Sequence, residues 1–242
     1  MGASPLFLLG ALGCGAAPEV DPCVADDGAD ARSTCLRPVL AEDAYSEQGL
    51  RYFDTLESAW DGTEGPDYAP GVARWEWPPW LKLTGYGRDD LEAVDAIVRL
   101  IPTAVPTRDC RFFGEQPFVR CRVDFAYEDE PGETCPIYEE FTYNDAGETT
   151  FIEAWSDDPA VLPSGPEDPW GEGDEVRRLS TRIPGLGRPD GSIDLDSPAM
   201  AAAVAADADV ADFVTRARDF YGTWLAEYQA AGPEVFAEGC GW

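Results

Sequence analysis

Residues Arg108 to Ser156 read RDCRFFGEQPFVRCRVDFAYEDEPGETCPIYEEFTYNDAGETTFIEAWS, and this stretch decides the fold. Runs of β-branched and aromatic residues follow one another here, with turn residues between them. The pattern predicts four consecutive antiparallel strands.

The first predicted hairpin turns at residues 114–117, and its sequence is symmetric about that loop. One register pairs Phe113 with Phe118, Arg111 with Arg120, and Cys110 with Cys121. Since side chains alternate between the two faces of a strand, the mostly apolar positions share one face. That predicted core face holds Cys110, Phe112, Val119, Cys121, Val123, Phe125 and Tyr127.

The second predicted hairpin joins residues 137–143 to residues 148–156 through the turn Asn144-Asp145-Ala146-Gly147. One face then carries Ile137, Glu139, Phe141 and Tyr143 with Thr150, Ile152 and Ala154. The opposite face carries Tyr138, Glu140 and Thr142 with Phe151, Glu153 and Trp155. Neither face is cleanly apolar, so we expect one of them to line a cavity that contains carboxylates.

The composition is that of an acidic globular protein. The 242 residues include 47 acidic and 17 basic side chains, which give a formal charge of −30. Such a charge argues against nucleic acid or anionic lipid as a partner. The chain has no His and no CxxC pair, so we predict neither a metal site nor a cofactor and exclude any nucleophile that depends on His.

The N-terminus predicts export. An apolar run at residues 5–12 is too short to span a bilayer and is typical of the end of a secretion signal. The segment Ala11-Leu12-Gly13-Cys14 resembles a bacterial lipobox, which implies a signal peptide at 1–13 and a lipid on Cys14. Residues 14–43 then form a flexible tether. Two alternatives are secretion without a lipid, and a cytosolic chain with an apolar start.

Six cysteines remain once Cys14 is set aside, and an even number in an exported chain indicates disulfides. Six cysteines permit 15 connectivities. Local spacing favours Cys23 with Cys35, and the hairpin register favours Cys110 with Cys121. The remaining pair is Cys135 with Cys240, which would hold the C-terminus to the sheet.

Two helices are predicted before the sheet, at residues 44–60 and 87–101, the second with Asp89 and Glu92 in capping-box spacing. Between them lie Trp75, Trp77 and Trp80. This aromatic segment either closes the core as a lid or contacts a ligand.

A Pro-rich linker and a helical extension follow at 159–242. The basic cluster of Arg177, Arg178 and Arg182 either folds back on the acidic domain or binds an anion. Ser197-Pro198 is a good start for a short helix, and a final helix at 209–230 has an apolar face that we expect to pack within the same chain.

The order of these elements resembles the SnoaL-like branch of the NTF2-like superfamily. The likeness covers residues 45–158 and ends on a hairpin motif near which stand Asp145, Gly147, Ile152, Trp155 and Asp157. It implies a domain at 44–158 with an α+β fold, an NTF2-like cone in which helices pack on a strongly bent antiparallel sheet and enclose a pocket. The fold hosts isomerases, hydrolases and binding proteins, so it does not decide the chemistry.

The candidate catalytic groups are Glu139, Glu153, Asp124 and Tyr143. A carboxylate whose pKa is raised by an apolar wall can act as a general base near neutral pH. The alternative is that Glu139 and Glu153 form cross-strand pairs with Arg111, Arg120 or Arg122. The candidate ligand contacts are Trp75, Trp77, Trp80, Phe141 and Trp155.

Three hypotheses follow for a protein of the bacterial cell envelope, in the periplasm or on the outer membrane, whose only membrane contact is a lipid on Cys14. The first is a domain that binds a small, largely apolar molecule in its cone. The second is an isomerase or hydrolase that uses a pocket carboxylate with Tyr or Arg. The third is a structural or partner-binding module whose cone is filled.

Overall fold

The computed structural model describes residues 38–78, 83–100, 103–114, 118–127, 132, 134–172, 178–188, 190–219, 226, 230 and 240. Its elements, in chain order, are α1 (Glu42–Leu56), β1 (Tyr68–Glu76), β2 (Gly85–Tyr86), α2 (Arg88–Val98), β3 (Thr103–Phe113), β4 (Phe118–Tyr127), β5 (Thr134–Tyr143), β6 (Thr149–Ser156), α3 (Pro198–Ala206) and α4 (Ala208–Arg218).

The strands form one six-stranded sheet in the order β2-β1-β6-β5-β4-β3. The four predicted strands are confirmed as β3 to β6, all antiparallel, and Cys110 lies opposite Cys121 as expected. The sheet also contains β1, which runs parallel to β6, and the short β2. Sequence reasoning missed β1 because most of its residues are buried, on both faces, so the usual alternation of apolar and polar residues is absent.

One face of the sheet, here called the inner face, is covered by α1 and α2. The predicted core face of the first hairpin lies on it, together with apolar residues of both helices. Tyr45, Tyr52, Phe53, Leu56, Leu91, Val94, Val119, Val123, Phe141 and Ile152 belong to this buried cluster. The predicted fold class, an α+β cone with helices packed on a curved sheet and a C-terminal helical extension, is therefore confirmed.

The opposite face, here called the outer face, is covered by residues 178–218 of the C-terminal extension. A second buried cluster joins the two layers and contains Ala73, Trp75, Phe151, Leu179, Ile183, Leu186, Met200, Val210 and Phe213. The expectation that the final helix packs within the chain holds for α4, whose Phe213 ring lies 5.7 Å from that of Phe151. The sheet is thus the middle layer of three.

Helix ends differ from the sequence prediction where tertiary contacts intervene. Helix α1 ends at Leu56 rather than at residue 60. Glu57 is extended, the chain then turns, and Ser58 N donates to the Thr103 carbonyl. Helix α2 ends at Val98, and its N-cap is Gly87, at φ 99°, without a side-chain hydrogen bond. The capping box predicted at Asp89 was therefore wrong, since Asp89 already lies inside the first turn. Ser197 does cap α3, accepting from Met200 N at 3.1 Å.

Two disulfides are formed, Cys110–Cys121 and Cys135–Cys240, and they favour an oxidising compartment. The predicted Cys23–Cys35 pair and Cys14 lie outside the described residues. Gly49 lets α1 lie close to the first bridge, because a Cβ there would come within 3.2 Å of Cys121 Sγ. No helix within the described ranges is both long and apolar enough to cross a membrane.

The two disulfides close loops of very different length, with sequence separations of 105 and 11 residues. We expect the double variant Cys135→Ala/Cys240→Ala to lower the free energy of unfolding by about 4 kcal/mol, because a long loop restricts the unfolded chain more. In the matched double variant Cys110→Ala/Cys121→Ala, the free energy of unfolding should decrease by about 2 to 3 kcal/mol. Urea unfolding without reductant measures both, and an equal loss in the two variants would contradict the loop-length argument.

Candidate functional site

The inner face encloses a cavity of about 50 Å³ between the two helices and the sheet. Its wall is mostly apolar. The apolar side chains in the wall come from α1, the segment before β2, α2, β4 and β5. They are Leu56, Leu83, Val94, Val98, Phe125 and Ile137. The polar groups on the wall are the hydroxyls of Tyr52 and Tyr127 and the carboxylate of Glu76.

Beside this cavity lies a buried group of charges centred on Arg74. Its Nη1 donates to Glu76 Oε1 at 2.8 Å and to the Leu83 carbonyl at 3.0 Å, and its Nη2 donates to Glu139 Oε1 at 2.9 Å. Glu76 Oε2 accepts from Leu83 N at 2.9 Å. Burial raises the pKa of Glu139, and Arg74 lowers it in part. One guanidinium therefore faces two carboxylates, so Arg74 offsets the effect of burial on Glu139 only in part.

Asp95 on α2 is the other buried acid of the inner side. It is 4% exposed, and its Oδ2 accepts a hydrogen bond from the Tyr68 hydroxyl at 3.1 Å. Burial raises the pKa of Asp95 from 3.8 to about 7, although the Tyr68 hydrogen bond and Arg74 oppose the rise. A carboxyl group that is half ionised near neutral pH is able to accept or donate a proton there.

The outer face holds a second group of buried charges. Glu140 accepts from Arg120 Nη2 at 3.0 Å and from the Ser180 hydroxyl at 3.1 Å, and Arg178 Nε lies 3.0 Å from its Oε2. Its cross-strand neighbour Glu153 accepts from Trp77 Nε1 at 2.7 Å and from the backbone N–H groups of residues 179 and 180. Burial and the adjacent Glu140 raise the pKa of Glu153. These bonds hold the C-terminal extension to the sheet.

The structure does not bring the four candidate catalytic residues together. Glu139 lies on the inner face and Glu153 on the outer face. Asp124 lies 3.4 Å from Arg122 Nη1. The buried Tyr143 hydroxyl donates to the Tyr45 carbonyl at 3.1 Å, and burial raises the pKa of this Tyr.

The arginines considered as cross-strand partners bind other acids. Arg120 pairs with Glu140, Arg122 with Asp157 at 2.7 Å, and Arg111 with Asp109 at 3.3 Å. Glu139 instead pairs with Arg74, which lies on a strand that the sequence did not reveal.

The candidate ligand contacts are likewise divided between the two faces. Trp75 and Trp77 lie on the outer face, their rings 5.0 Å apart, and Trp155 stacks on Tyr138 there at 5.7 Å. Phe141 packs on the inner face against Tyr52 and Phe53. Trp80 lies outside the described residues.

Sequence reasoning missed Arg74, Glu76 and Asp95. The available signal for Asp95 was its position on the apolar stripe of α2, beside Val94 and one turn from Leu91 and Val98, where an acid must be buried. For Arg74 and Glu76 no signal was available without β1, because only the strand shows that they share a face with Val72.

No protein-family model and no curated protein matches the sequence. Among solved structures, the chain is similar to a protein of unknown function with a cystatin-like fold from Methylobium petroleophilum PM1 (11% identity, TM-score 0.41, 58% of this chain and 86% of that one). It is also similar to a putative polyketide cyclase from Sinorhizobium meliloti (15% identity, TM-score 0.35, 48% of this chain and 99% of that one). A third similar structure is SalBIII, an epoxide hydrolase/cyclase-like enzyme of pyran ring formation in the polyether salinomycin (9% identity, TM-score 0.31, 46% of this chain and 83% of that one).

Removing the ionisable group at Asp95 should change how stability depends on pH. As the pH rises from about 4 to about 7, the unfolded chain has already released the Asp95 proton that the folded protein still holds, so the free energy of unfolding decreases. Asp95→Asn has no carboxyl group to titrate at this position, so its free energy of unfolding does not show this decrease. Between pH 4 and pH 8 the free energy of unfolding of the variant should therefore rise, relative to that of the wild type, by on the order of 2 to 4 kcal/mol. Urea unfolding across this range measures the difference, and parallel curves for the two proteins would refute the assignment.

Breaking the outer-face network should destabilise the protein strongly. Glu140→Gln keeps the size of the side chain but leaves Arg120 and Arg178 with less negative charge, so we expect a loss of about 3 kcal/mol in the free energy of unfolding. Glu47→Gln is the control. It removes an exposed partner of Arg51, 3.9 Å away, and should cost less than about 0.5 kcal/mol. Thermal and urea unfolding compare the two, and similar small losses would argue against the network.

Proposed function

We propose that the chain binds a small, largely apolar molecule in the cavity of its cone. The observation that supports this is the cavity wall, which combines six apolar side chains with a small number of polar groups at Tyr52, Glu76 and Tyr127. An apolar pocket with a few placed polar groups is the usual form of a small-molecule site.

The size of the cavity restricts the ligand. An engineered apolar cavity of about 150 Å³ accepts benzene, whereas this one measures about 50 Å³. The inserted part of the ligand is therefore short, such as the end of an aliphatic chain, and the remainder lies outside the cavity. Any polar atom that reaches the wall meets the tyrosine hydroxyls or the Glu76 carboxylate.

The charges next to the cavity support binding rather than catalysis. Both oxygens of Glu76 already accept hydrogen bonds, from Arg74 and from Leu83 N. Glu139 is ion-paired to Arg74 and is fully buried. Glu76, the carboxylate in the cavity wall, therefore has both oxygens engaged, and Glu139, whose Oε2 makes no hydrogen bond to the described residues, does not belong to the wall. A general base needs an available oxygen next to the ligand.

The same proposal includes export to the bacterial cell envelope, in the periplasm or on the outer membrane. A signal peptide at 1–13, a lipid on Cys14 and a tether at 14–43 would place the cone, at 44–158, and its extension, at 159–242, outside the cytoplasm. The two disulfides support an oxidising location.

A second candidate function is a structural envelope module with a filled cone. It is favoured by the aromatic cluster of Tyr52, Phe53, Phe125 and Phe141, whose rings pack at 5.1 to 6.3 Å and occupy much of the space under the helices. The two candidates differ in whether the remaining cavity takes up a molecule.

An NMR titration with 1-butanol distinguishes them. In the wild-type chain we expect saturable amide shifts around Val94 and Ile137. Val98→Phe fills the cavity and should weaken binding at least ~10-fold, because the added ring occupies the space of the ligand. Leu100→Phe is the matched control, since it adds the same ring near the end of α2 at a side chain that is 73% exposed.

Amide spectra of both variants verify that they are folded. Saturable shifts that disappear in Val98→Phe and remain in Leu100→Phe support the binding function. Their absence in the wild-type protein, or equal binding by Val98→Phe, would contradict it and favour the structural module.

A further inference from the structure

A second cavity, of about 390 Å³, lies between the end of α1, the start of β1 and α2. Its wall includes the Trp60 ring, Pro66, Tyr68 and the acids Glu92 and Asp95. It is distinct from the cone cavity, with which it shares no wall residue. Its size falls in the range of small-molecule sites.

Asp95 presents an unused acceptor to this cavity. The residue is 4% exposed, and its Oδ2 accepts from the Tyr68 hydroxyl at 3.1 Å. Its Oδ1 makes no hydrogen bond within the part of the chain that the structure describes. Oδ1 is not among the fully buried unpaired atoms, so a donor supplied by a ligand in the cavity can reach it, and a hydrogen bond to a carboxylate is stronger than one between neutral groups.

The cation next to Asp95 is engaged elsewhere. The Arg99 guanidinium carbon lies 4.6 Å from the centre of the Trp60 ring, and Nη1 donates to the Thr55 carbonyl. Among the described residues, Arg99 forms no ion pair with Asp95. This arrangement leaves no free guanidinium fork for an anionic ligand.

The other charged and titratable groups that act on Asp95 come from the neighbouring elements. They are Tyr52 on α1, Arg74 and Tyr68 on β1, and Glu139 on β5. Arg74 is already shared between Glu76 and Glu139, so its charge is compensated. Exposed Glu92 adds negative charge at the cavity wall. The surroundings of Oδ1 therefore favour a positive ligand.

We propose that this second cavity binds a small organic cation with a primary ammonium group. The ammonium donates to Asp95 Oδ1, and the apolar part of the ligand packs against Pro66 and the accessible side of the Trp60 ring. The formal charge of −30 raises the local concentration of cations and speeds their association.

The test is calorimetric titration of the full chain with benzylamine, with benzyl alcohol as the neutral probe of the same shape. We expect benzylamine to bind at pH 7.5 and benzyl alcohol to bind at least ~10-fold more weakly. Asp95→Asn keeps the acceptor for Tyr68 and should lower the affinity for benzylamine at least ~10-fold. Asp89→Asn, at an exposed acid on the same helix that lies outside this cavity wall, should change it less than about 3-fold.

A proton measurement separates a direct role of Asp95 from a structural one. The cation favours the carboxylate, so binding at pH 7 should release about half a proton, seen as a heat that depends on the ionisation enthalpy of the buffer. Affinity should fall about tenfold per unit as the pH decreases below about 6, while a primary amine stays protonated. Asp95→Asn should show neither effect. Equal binding of the two probes, unchanged binding by Asp95→Asn, or no proton release would overturn the proposal.

Discussion

The burial of the sheet on both faces is the constraint on which the rest of this structure depends. Helices α1 and α2 cover the inner face and the C-terminal extension covers the outer face. The acidic side chains of β5 and β6 are therefore not solvated by water. Glu139, Glu140 and Glu153 are each at most 1% exposed. Each is compensated by an arginine or by several hydrogen-bond donors, because an uncompensated buried charge would cost several kcal/mol.

This constraint has different consequences on the two faces. On the outer face the donors come from the extension, since Arg178, Leu179 and Ser180 supply bonds to Glu140 and Glu153. The charges there fix one layer onto another. On the inner face Arg74 pairs with two carboxylates, and within the described part of the chain the Asp95 side chain accepts a hydrogen bond only from the Tyr68 hydroxyl. These incompletely compensated carboxylates lie beside the two cavities. A ligand bound there could supply the missing hydrogen bond or positive charge.

The parts of the fold that the sequence predicts are those where neighbouring residues specify the local structure. The hairpin of β3 and β4 could be derived because paired residues such as Cys110 and Cys121 mark the register. The turn at 144–147 and the cap at Ser197 have equally clear local chemistry. In contrast, β1 has Pro70 and Gly71 near its start and is buried on both faces, so neither composition nor alternation marks it as a strand.

The sequence alone determined the antiparallel hairpins, the Cys110–Cys121 disulfide and the acidic character, because each depends on residue type and short-range spacing. Only the tertiary structure decided which acids meet which arginines and where the cavities lie. Arg74 and Glu139 are 65 positions apart, and they meet because β1 joins the sheet in parallel beside β6. Likewise, the environment of Asp95 depends on Tyr68 reaching it from β1, a contact between strand and helix that no local pattern specifies.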